Sequence, residues 1–302
     1  MDKLIQLTDD QLKALQQKNL EIAEYFTNFC REHGLRVYVF AGGCLGAVRH
    51  KGFIPWDDDI DLCMPAPDYQ KLLKIWDKYA DTKRYSLIYP KKGYNDHRMS
   101  ASIRDNNTTF ITPASVDTDT NQGLGLDFGA LHAAAKTKPG RMIQLALACG
   151  RSLFRAGRLP NRQSKPVYIA SKILLSIFRG DNVRYYIWST CEKLASLPDR
   201  HYDKAKYVKE FSMFPFITWL YPAEWFAKPV YLPFEHTKLP VPQGYKQYLT
   251  KRYGDYMTPP PEKDRHPEHK ILFMDLETPY IKYRGTKYYR QAGKKKPAPK
   301  AK

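Results

Sequence analysis

The chain has 302 residues, 43% of them hydrophobic, with 49 lysines and arginines against 31 acidic residues and a net charge of +18. That composition fits one large globular domain, or a core with a substantial insertion. No uncharged apolar stretch reaches the roughly 18 residues of a spanning helix, and the N-terminus lacks the pattern of a signal peptide. The five cysteines have no metal-type spacing and are expected to be reduced thiols.

The positive charge is concentrated in two segments. Residues 128–180 contain ten lysines and arginines and no acid, and residues 282–302 contain nine and again no acid. These 19 charges exceed the net charge of the whole chain by one, so the remainder has a net charge of −1. The basic character therefore belongs to two segments and not to the rest of the protein.

The first half of the chain alternates helices with short strands. A capping box at Thr8–Gln11 predicts a helix of about seven turns that ends at Gly34. The spacing of apolar residues then predicts, in chain order, a strand over 37–41, a short helix over 45–51, a strand over 60–64, a helix over 68–79, strands over 85–89 and 98–104, and an apolar strand over 123–127.

The second half is predicted to be mainly helical, with helices over 142–149, 167–178, 182–195 and 247–253. The first two are apolar and framed by basic residues. They are interpreted either as helices lying on an anionic bilayer or as core helices with solvated ends, and the lack of acids favours the bilayer. The aromatic residues of 210–226 are expected in the core, with a cation-binding cage as the alternative.

Acidic residues cluster in Trp56-Asp-Asp-Asp-Ile-Asp61. If 60–64 is a strand, alternation places Asp59 and Asp61 on one face, where two carboxylates need a cation or a proton. Oxygen ligands suit Mg²⁺ or Mn²⁺. Asp127 in the later apolar strand is a third candidate ligand, the alternative being a strand-end cap. Asp57 and Asp58 are assigned turn and capping roles.

Glycines and cations precede these acids. Gly42 and Gly43 allow a close approach of backbone to an anion, and the helix that follows offers free N–H groups. Arg49, His50 and Lys51 supply positive charge. In contrast, the histidines of Arg265–His269 are interpreted as loop residues.

The stretch Gly43-Cys-Leu-Gly-Ala-Val-Arg-His-Lys-Gly-Phe-Ile-Pro-Trp-Asp-Asp-Asp-Ile-Asp61 resembles the motif of the LicD and fukutin-related phosphotransferases. Weaker agreement follows in order over 103–110, at Leu126-Asp127 and over 234–257, so the resemblance spans roughly residues 8–265. Cys44 and Ser102 stand where that family usually has Thr and Lys.

The resemblance implies an α+β, nucleotidyltransferase-like fold, with a small mixed sheet flanked by helices, and it leaves the two basic segments unmatched. Together with the charge distribution, it predicts a catalytic core over 1–127, a helical basic insertion over 128–180, a C-terminal part over 181–281 that completes the domain, and a basic disordered tail over 282–302. The chain is expected at the cytoplasmic face of the membrane as a peripheral protein.

The implied reaction is transfer of a phospho-alcohol, such as phosphocholine, from a CDP-alcohol to a hydroxyl of a surface glycan or its lipid-linked precursor. Asp59, Asp61 and Asp127 would bind Mg²⁺ or Mn²⁺ and carry catalysis. Contacts to the donor phosphates would come from Gly42, Gly43, Arg49, Lys51 and Arg104.

Two other functions use the same features. A nucleotidyltransferase would place a nucleoside monophosphate on a small acceptor with the same carboxylates. A non-enzymatic nucleic-acid-binding protein would explain the basic charge. The separation of that charge from the acidic cluster, and the absence of a nucleic-acid-binding motif, argue against nucleic acid as a partner.

Overall fold

The computed structural model describes residues 3–160, 164–212, 216–267 and 269–290. The α-helices within these ranges are α1 (Asp9–Glu32), α2 (Ala41–Arg49), α3 (Ala66–Tyr79), α4 (Lys138–Ala156), α5 (Lys165–Ile177), α6 (Asp181–Ala195) and α7 (Tyr245–Tyr253). The strands are β1 (Tyr38–Val39), β2 (Leu62–Pro65), β3 (Tyr85–Ile88), β4 (Ala101–Asp105), β5 (Thr109–Ile111), β6 (Gly125–Ala133), β7 (Tyr207–Glu210), β8 (Tyr221–Pro222), β9 (Pro229–Phe234), β10 (Thr237–Pro242) and β11 (Phe273–Asp275).

The main sheet is mixed and has β6 at its centre. Its order is β1-β2-β6-β4-β3, and β7 pairs with the far end of β6 and with β8. The β2–β6 pair is parallel, and the other pairs are antiparallel. The predicted α+β class with a small mixed sheet and flanking helices is confirmed.

Helices α1 and α3 pack their apolar sides against the sheet. The ring centroid of Phe26 in α1 lies 4.9 Å from that of Phe128 in β6 and 6.0 Å from that of Trp76 in α3. The N-terminus of α1 has the predicted capping box, in which Thr8 and Gln11 each accept a hydrogen bond from the backbone of the other. This core fixes the positions of β2 and β6, the strands next to which the acidic residues lie.

Several element bounds differ from prediction in ways that matter for the site. Helix α2 begins at Ala41, four residues earlier than expected, so Gly42 and Gly43 lie in its first turn. Strand β2 begins at Leu62, so Asp59 and Asp61 lie in the segment leading into it and not on a strand face. The apolar strand at 123–127 extends as β6 to Ala133.

The basic segments have different surroundings. Residues 128–133 belong to β6, and the helices α4 and α5 follow. At the other end of the chain, Tyr288 is buried and Arg284 pairs with Asp119 through Nε at 2.7 Å. Residues 291–302, most of the predicted tail, lie outside the described residues. Within the described residues, no helix has both the length and the apolar character needed to cross a bilayer.

Gly46 holds the turn that follows α2. A Cβ atom at this position would lie 2.4 Å from the carbonyl oxygen of Gly52 and 3.3 Å from the amide nitrogen of Ile54. Both neighbours are backbone atoms, so the loop over 52–54 would have to move. We expect Gly46→Ala to lower the free energy of unfolding by about 2 kcal/mol, as overpacking does.

Urea denaturation measures this change, and Gly129→Ala is the matched control. A Cβ at Gly129 meets no atom within 4 Å. Equal stabilities for the two variants would show that the 52–54 loop adapts without cost.

Candidate functional site

The register of the sheet brings Asp61 and Asp127 together. Leu62 pairs with Phe128 in the parallel β2–β6 ladder, so the residues that precede them are neighbours on adjacent strands. On the other side of β2, the amide of Phe40 donates to the carbonyl of Asp61 at 2.8 Å. The end of β1, the start of β2 and the middle of β6 therefore meet at one point.

Three more carboxylates lie in the loop before β2. One oxygen from each of Asp57, Asp58 and Asp59 can be chosen so that all three lie within 4.8 Å of one another. Sequence reasoning assigned turn and capping roles to Asp57 and Asp58, but the structure groups both with Asp59. The group of acids is therefore larger than predicted. We call it the acidic cluster, and it comprises Asp57, Asp58, Asp59, Asp61 and Asp127.

Two carboxyl groups of the acidic cluster have raised pKa values. Desolvation raises the pKa of Asp59 to about 7, with Asp57, Asp58 and Asp127 adding to the rise and His269 opposing it. Desolvation, followed by the charges of Asp59 and Asp127, raises the pKa of Asp61 to about 8. Ionised carboxylates this close repel one another, and a cation among them would relieve the repulsion.

His269 supplies positive charge from the C-terminal part of the chain. Its Nδ1 lies 3.0 Å from Oδ1 of Asp58, its backbone N–H donates to Oδ2 of Asp58 at 3.1 Å, and its Nε2 lies 3.8 Å from Oδ2 of Asp59. The hydrogen bond with Asp58 raises the pKa of His269 to about 9. The loop interpretation of this residue missed its contact with the acidic cluster, which lies 211 residues away in sequence.

The contact between His269 and Asp58 gives a test of the site's architecture. The Asp58 side chain is fully buried. We expect His269→Ala to lower the free energy of unfolding by about 2 kcal/mol in EDTA, because a buried carboxylate loses a charge-assisted hydrogen bond. Urea titration measures the change.

The control is His266→Ala, an exposed histidine three residues away, which should change stability by less than about 0.5 kcal/mol. If the two alanine variants are equally stable, Asp58 does not depend on the imidazole.

Asp127 has its own partners in the segment before β4. Nη1 of Arg98 lies 3.3 Å from Oδ1 of Asp127, and Oγ of Ser100 lies 3.4 Å from its Oδ2. An acid in an apolar strand needs such a partner to offset desolvation. Arg98 supplies it, and Asp127 stays half-buried beside Asp61.

Two arginines of α4 hold this segment in place. Nε of Arg155 donates to the carbonyl of Arg98 at 2.7 Å, and Nη2 of Arg151 donates to that of Met99 at 3.2 Å. Both side chains are buried, and both reach Oε1 of Glu192 in α6, at 3.7 Å and 2.9 Å respectively. Helix α4 of the basic segment thus holds the backbone of the segment that carries Arg98 and Ser100, the partners of Asp127.

Gly42 and Gly43 make close contacts within the protein. A Cβ at Gly42 would lie 2.7 Å from Oδ2 of Asp57, and one at Gly43 would lie 2.6 Å from Cγ1 of Val39. Gly42 therefore lets an acid of the cluster approach the start of α2, and Gly43 lets α2 pack on β1. In the structure, the anion beside Gly42 is a side chain of the chain itself.

The three predicted phosphate-binding cations have different surroundings. Arg49 donates through Nη1 to the carbonyl of Tyr256 at 3.0 Å, and Lys51 is exposed. Arg104 is buried and donates to the carbonyl of Gly123 at 2.7 Å. Burial, followed by the charge of Arg98, lowers the pKa of Arg104 to about 10, which still leaves it charged at neutral pH.

The two departures from the family pattern also have defined places. Cys44 is fully buried in the core, where burial raises the pKa of its thiol to about 12. Ser102 is buried opposite Asp127 in the β4–β6 ladder, and its Oγ has no hydrogen-bond partner among the described residues. The side chain of residue 44 therefore packs in the core, whereas residue 102 borders the site.

A cavity of about 190 Å³ opens beside Asp61 and Asp127. Its lining combines acids, arginines and rings, among them Phe40, Tyr69, Arg151, Glu192, Glu210, Phe211 and Arg252. Phe211, Tyr221 and Phe226 are buried, which confirms the core interpretation for these members of the aromatic run. Phe214 of the same run lies outside the described residues.

Comparison with known proteins finds similarity in the part of the chain that carries most of the acidic cluster. Residues 34–120 match the family model described as LicD/FKTN/FKRP, nucleotidyltransferase domain, which covers Asp57 to Asp61 and the segment carrying Arg98. The chain is also 27% identical over 258 residues to the lipopolysaccharide cholinephosphotransferase LicD of Haemophilus influenzae, covering 83% of this chain and 92% of that protein. Residues 34–120 therefore match a domain of the LicD family, and the similarity to the LicD protein extends over most of the chain.

Proposed function

We propose that this chain transfers a phosphocholine-like phospho-alcohol from a CDP-alcohol to a hydroxyl of a surface glycan or its lipid-linked precursor. The observation that supports it best is the acidic cluster. Four of its members, Asp57, Asp58, Asp59 and Asp61, lie within the residues matched by the family model, and Asp127 lies beyond them, next to Asp61 in the sheet. The relative from H. influenzae is named for transfer of cholinephosphate to lipopolysaccharide. We further propose that the core has a nucleotidyltransferase-like fold.

A divalent cation fits the donor set. The cluster offers only carboxylate oxygens, the ligands preferred by Mg²⁺ and Mn²⁺, and its repulsion calls for positive charge. We propose that Asp59 and Asp61 bind the ion, with Asp127 as the third acid. When bound, the ion would polarise the phosphoryl oxygens of the donor and offset their charge.

The protein's own residues would position the substrates. Arg98 and Ser100 fix the orientation of Asp127, which lies beside Asp61. In this position we propose Asp127 as the acceptor of the attacking hydroxyl's proton whenever it is not a ligand of the ion. Lys51 is exposed and free to meet the donor phosphates, while Arg104 would act at longer range because it is buried.

The cavity beside Asp61 and Asp127 suits the alcohol part of the donor. Rings of Phe40 and Tyr69 and the carboxylates of Asp61 and Asp127 line it, next to Glu192 and Glu210, which pair with arginines. Aromatic faces and carboxylates together attract a quaternary ammonium group. We therefore propose this cavity as the place where the donor's head group is selected.

The test is a panel of CDP-alcohols incubated with the full chain, a glycan acceptor and Mg²⁺, followed by product analysis. Release of CMP that depends on both acceptor and metal supports the proposal, and loss of release in EDTA supports the role of the ion. A nucleotidyltransferase, which the description of the matching family model also suggests, would instead release pyrophosphate from a nucleoside triphosphate. That outcome would replace phospho-alcohol transfer as the function.

A further inference from the structure

Helix α5 exposes apolar side chains to solvent along most of its length. Ile173 is 53% exposed and Ile177 is 65% exposed, and Val167, Ile169 and Leu174 are exposed with them. Ser171 is the buried residue of the helix. An apolar helix with so little cover from the described residues of its own chain indicates an interaction surface.

The exposed residues have the arrangement of an interfacial helix. Val167, Ala170, Ile173, Leu174 and Ile177 recur at helical spacing and so lie on one side of α5. Lys165 and Lys172 are two turns apart and lie together on the other side. Apolar residues on one face and lysines on the other are typical of a helix that lies in the plane of a bilayer surface.

The charge around α5 indicates what kind of partner surface the helix binds. Residues 128–180 contain ten basic residues and no acid. Of these, Arg151 and Arg155 are buried against Glu192, whereas Lys165, Lys172 and Arg179 are exposed on α5 or just after it. Beyond the end of α5, Arg184 donates from Nε to the carbonyl of Phe178 at 3.1 Å and from Nη2 to that of Leu175 at 3.3 Å, which places another cation at this end of the helix. A second copy docking through the same face would bring two basic helices together, whereas an anionic bilayer complements them.

We propose that α5 docks the protein on an anionic lipid bilayer, with Val167, Ala170, Ile173, Leu174 and Ile177 entering the boundary between head groups and acyl chains. The lysines on the opposite face remain in water near the head groups. The proposal stands apart from the chemistry of the acidic cluster, because a binding assay without substrate tests it. Should the proposed function also hold, docking would bring the enzyme to a lipid-linked acceptor.

Co-sedimentation of the full chain with lipid vesicles tests the proposal. We expect at least tenfold tighter binding to vesicles of equal parts phosphatidylglycerol and phosphatidylcholine than to pure phosphatidylcholine. Ile173→Ser combined with Ile177→Ser should weaken binding to the anionic vesicles at least tenfold. Lys165→Gln combined with Lys172→Gln should weaken it about fivefold for each lysine removed.

Ile281→Ser is the matched control, because Ile281 is 59% exposed and lies outside the basic segment. The C-terminal lysines are present in every variant, so their contribution cancels in the comparison. Binding of the Ile173/Ile177 variant at the wild-type level, with the lysine variant also unaffected, would overturn the proposal. A dimer in sedimentation analysis that dissociates in the Ile173/Ile177 variant would overturn it in favour of self-association.

Discussion

Asp61→Asn is expected to reduce metal-dependent transfer by about 10³-fold, at the upper end of what removing one charge-stabilising group costs, without unfolding the protein. Asp61 lies beside Asp127 across the β2–β6 ladder, and the charges of Asp59 and Asp127 act on its carboxylate more strongly than those of Arg252 and His269. An amide of the same shape keeps the packing but loses the charge that would hold a divalent cation. Because it also removes repulsion, the variant should be at least as stable as the wild type in EDTA.

Two measurements check this expectation. The first is turnover with Mg²⁺, with Asp77→Asn as the control because Asp77 is exposed on α3. The second is thermal unfolding, where saturating the wild type with metal at 100 times Kd adds about 2.7 kcal/mol. The variant should lose most of that gain. If Asp61→Asn keeps more than a tenth of wild-type turnover, Asp61 is not a ligand of an essential ion.

Glu192→Leu should destabilise the protein by about 3 kcal/mol, because it leaves two buried arginines without their shared counter-ion. Arg151 and Arg155 have side chains only 6% and 3% exposed, and Glu192 pairs with both. The same change should lower transfer activity, since these arginines hold the segment that carries Arg98. Glu277→Leu is the control, because the side chain of Glu277 is 86% exposed.

The pH dependence of the free energy of unfolding of Glu192→Gln distinguishes the effect of the charge from the effect of packing. Burial by itself would raise the pKa of Glu192, but Arg151 and Arg155 outweigh it and hold that pKa below its usual 4.5. The pairing therefore contributes stability above about pH 4.5, and this is lost as the pH falls through the folded-state pKa. The wild type should lose more stability on acidification than Glu192→Gln. Identical pH profiles in urea titrations would contradict the pairing.

The sequence was most informative where local chemistry decides the structure. The capping box at Thr8–Gln11, the apolar spacing of the helices and the α+β class are confirmed. The acidic stretch was predicted as a metal site from residue types and spacing, and the structure groups three of its carboxylates. Its geometry was predicted less well, because β2 begins two residues late and the carboxylates belong to the loop before the strand.

Long-range partners could not be predicted in the same way. His269 reaches Asp58 because Ile271 bridges to Ile5 and β11 pairs with β5, which fixes the path of the C-terminal segment. Arg155 reaches the carbonyl of Arg98 because α4 packs beside the sheet. Neither contact has a local sequence pattern, since each depends on how distant segments meet.

The contact between His269 and Asp58 has a consequence for folding. It closes a loop of 211 residues. Contacts of such separation form late in folding, because the chain loses conformational entropy before the contact can stabilise it. Helices, and pairs of strands that are close in sequence, form without closing such a long loop. During refolding, helical signal should therefore recover before transferase activity, and a chain halted before residue 269 should have its helices without the β5–β11 pair and without a complete acidic site.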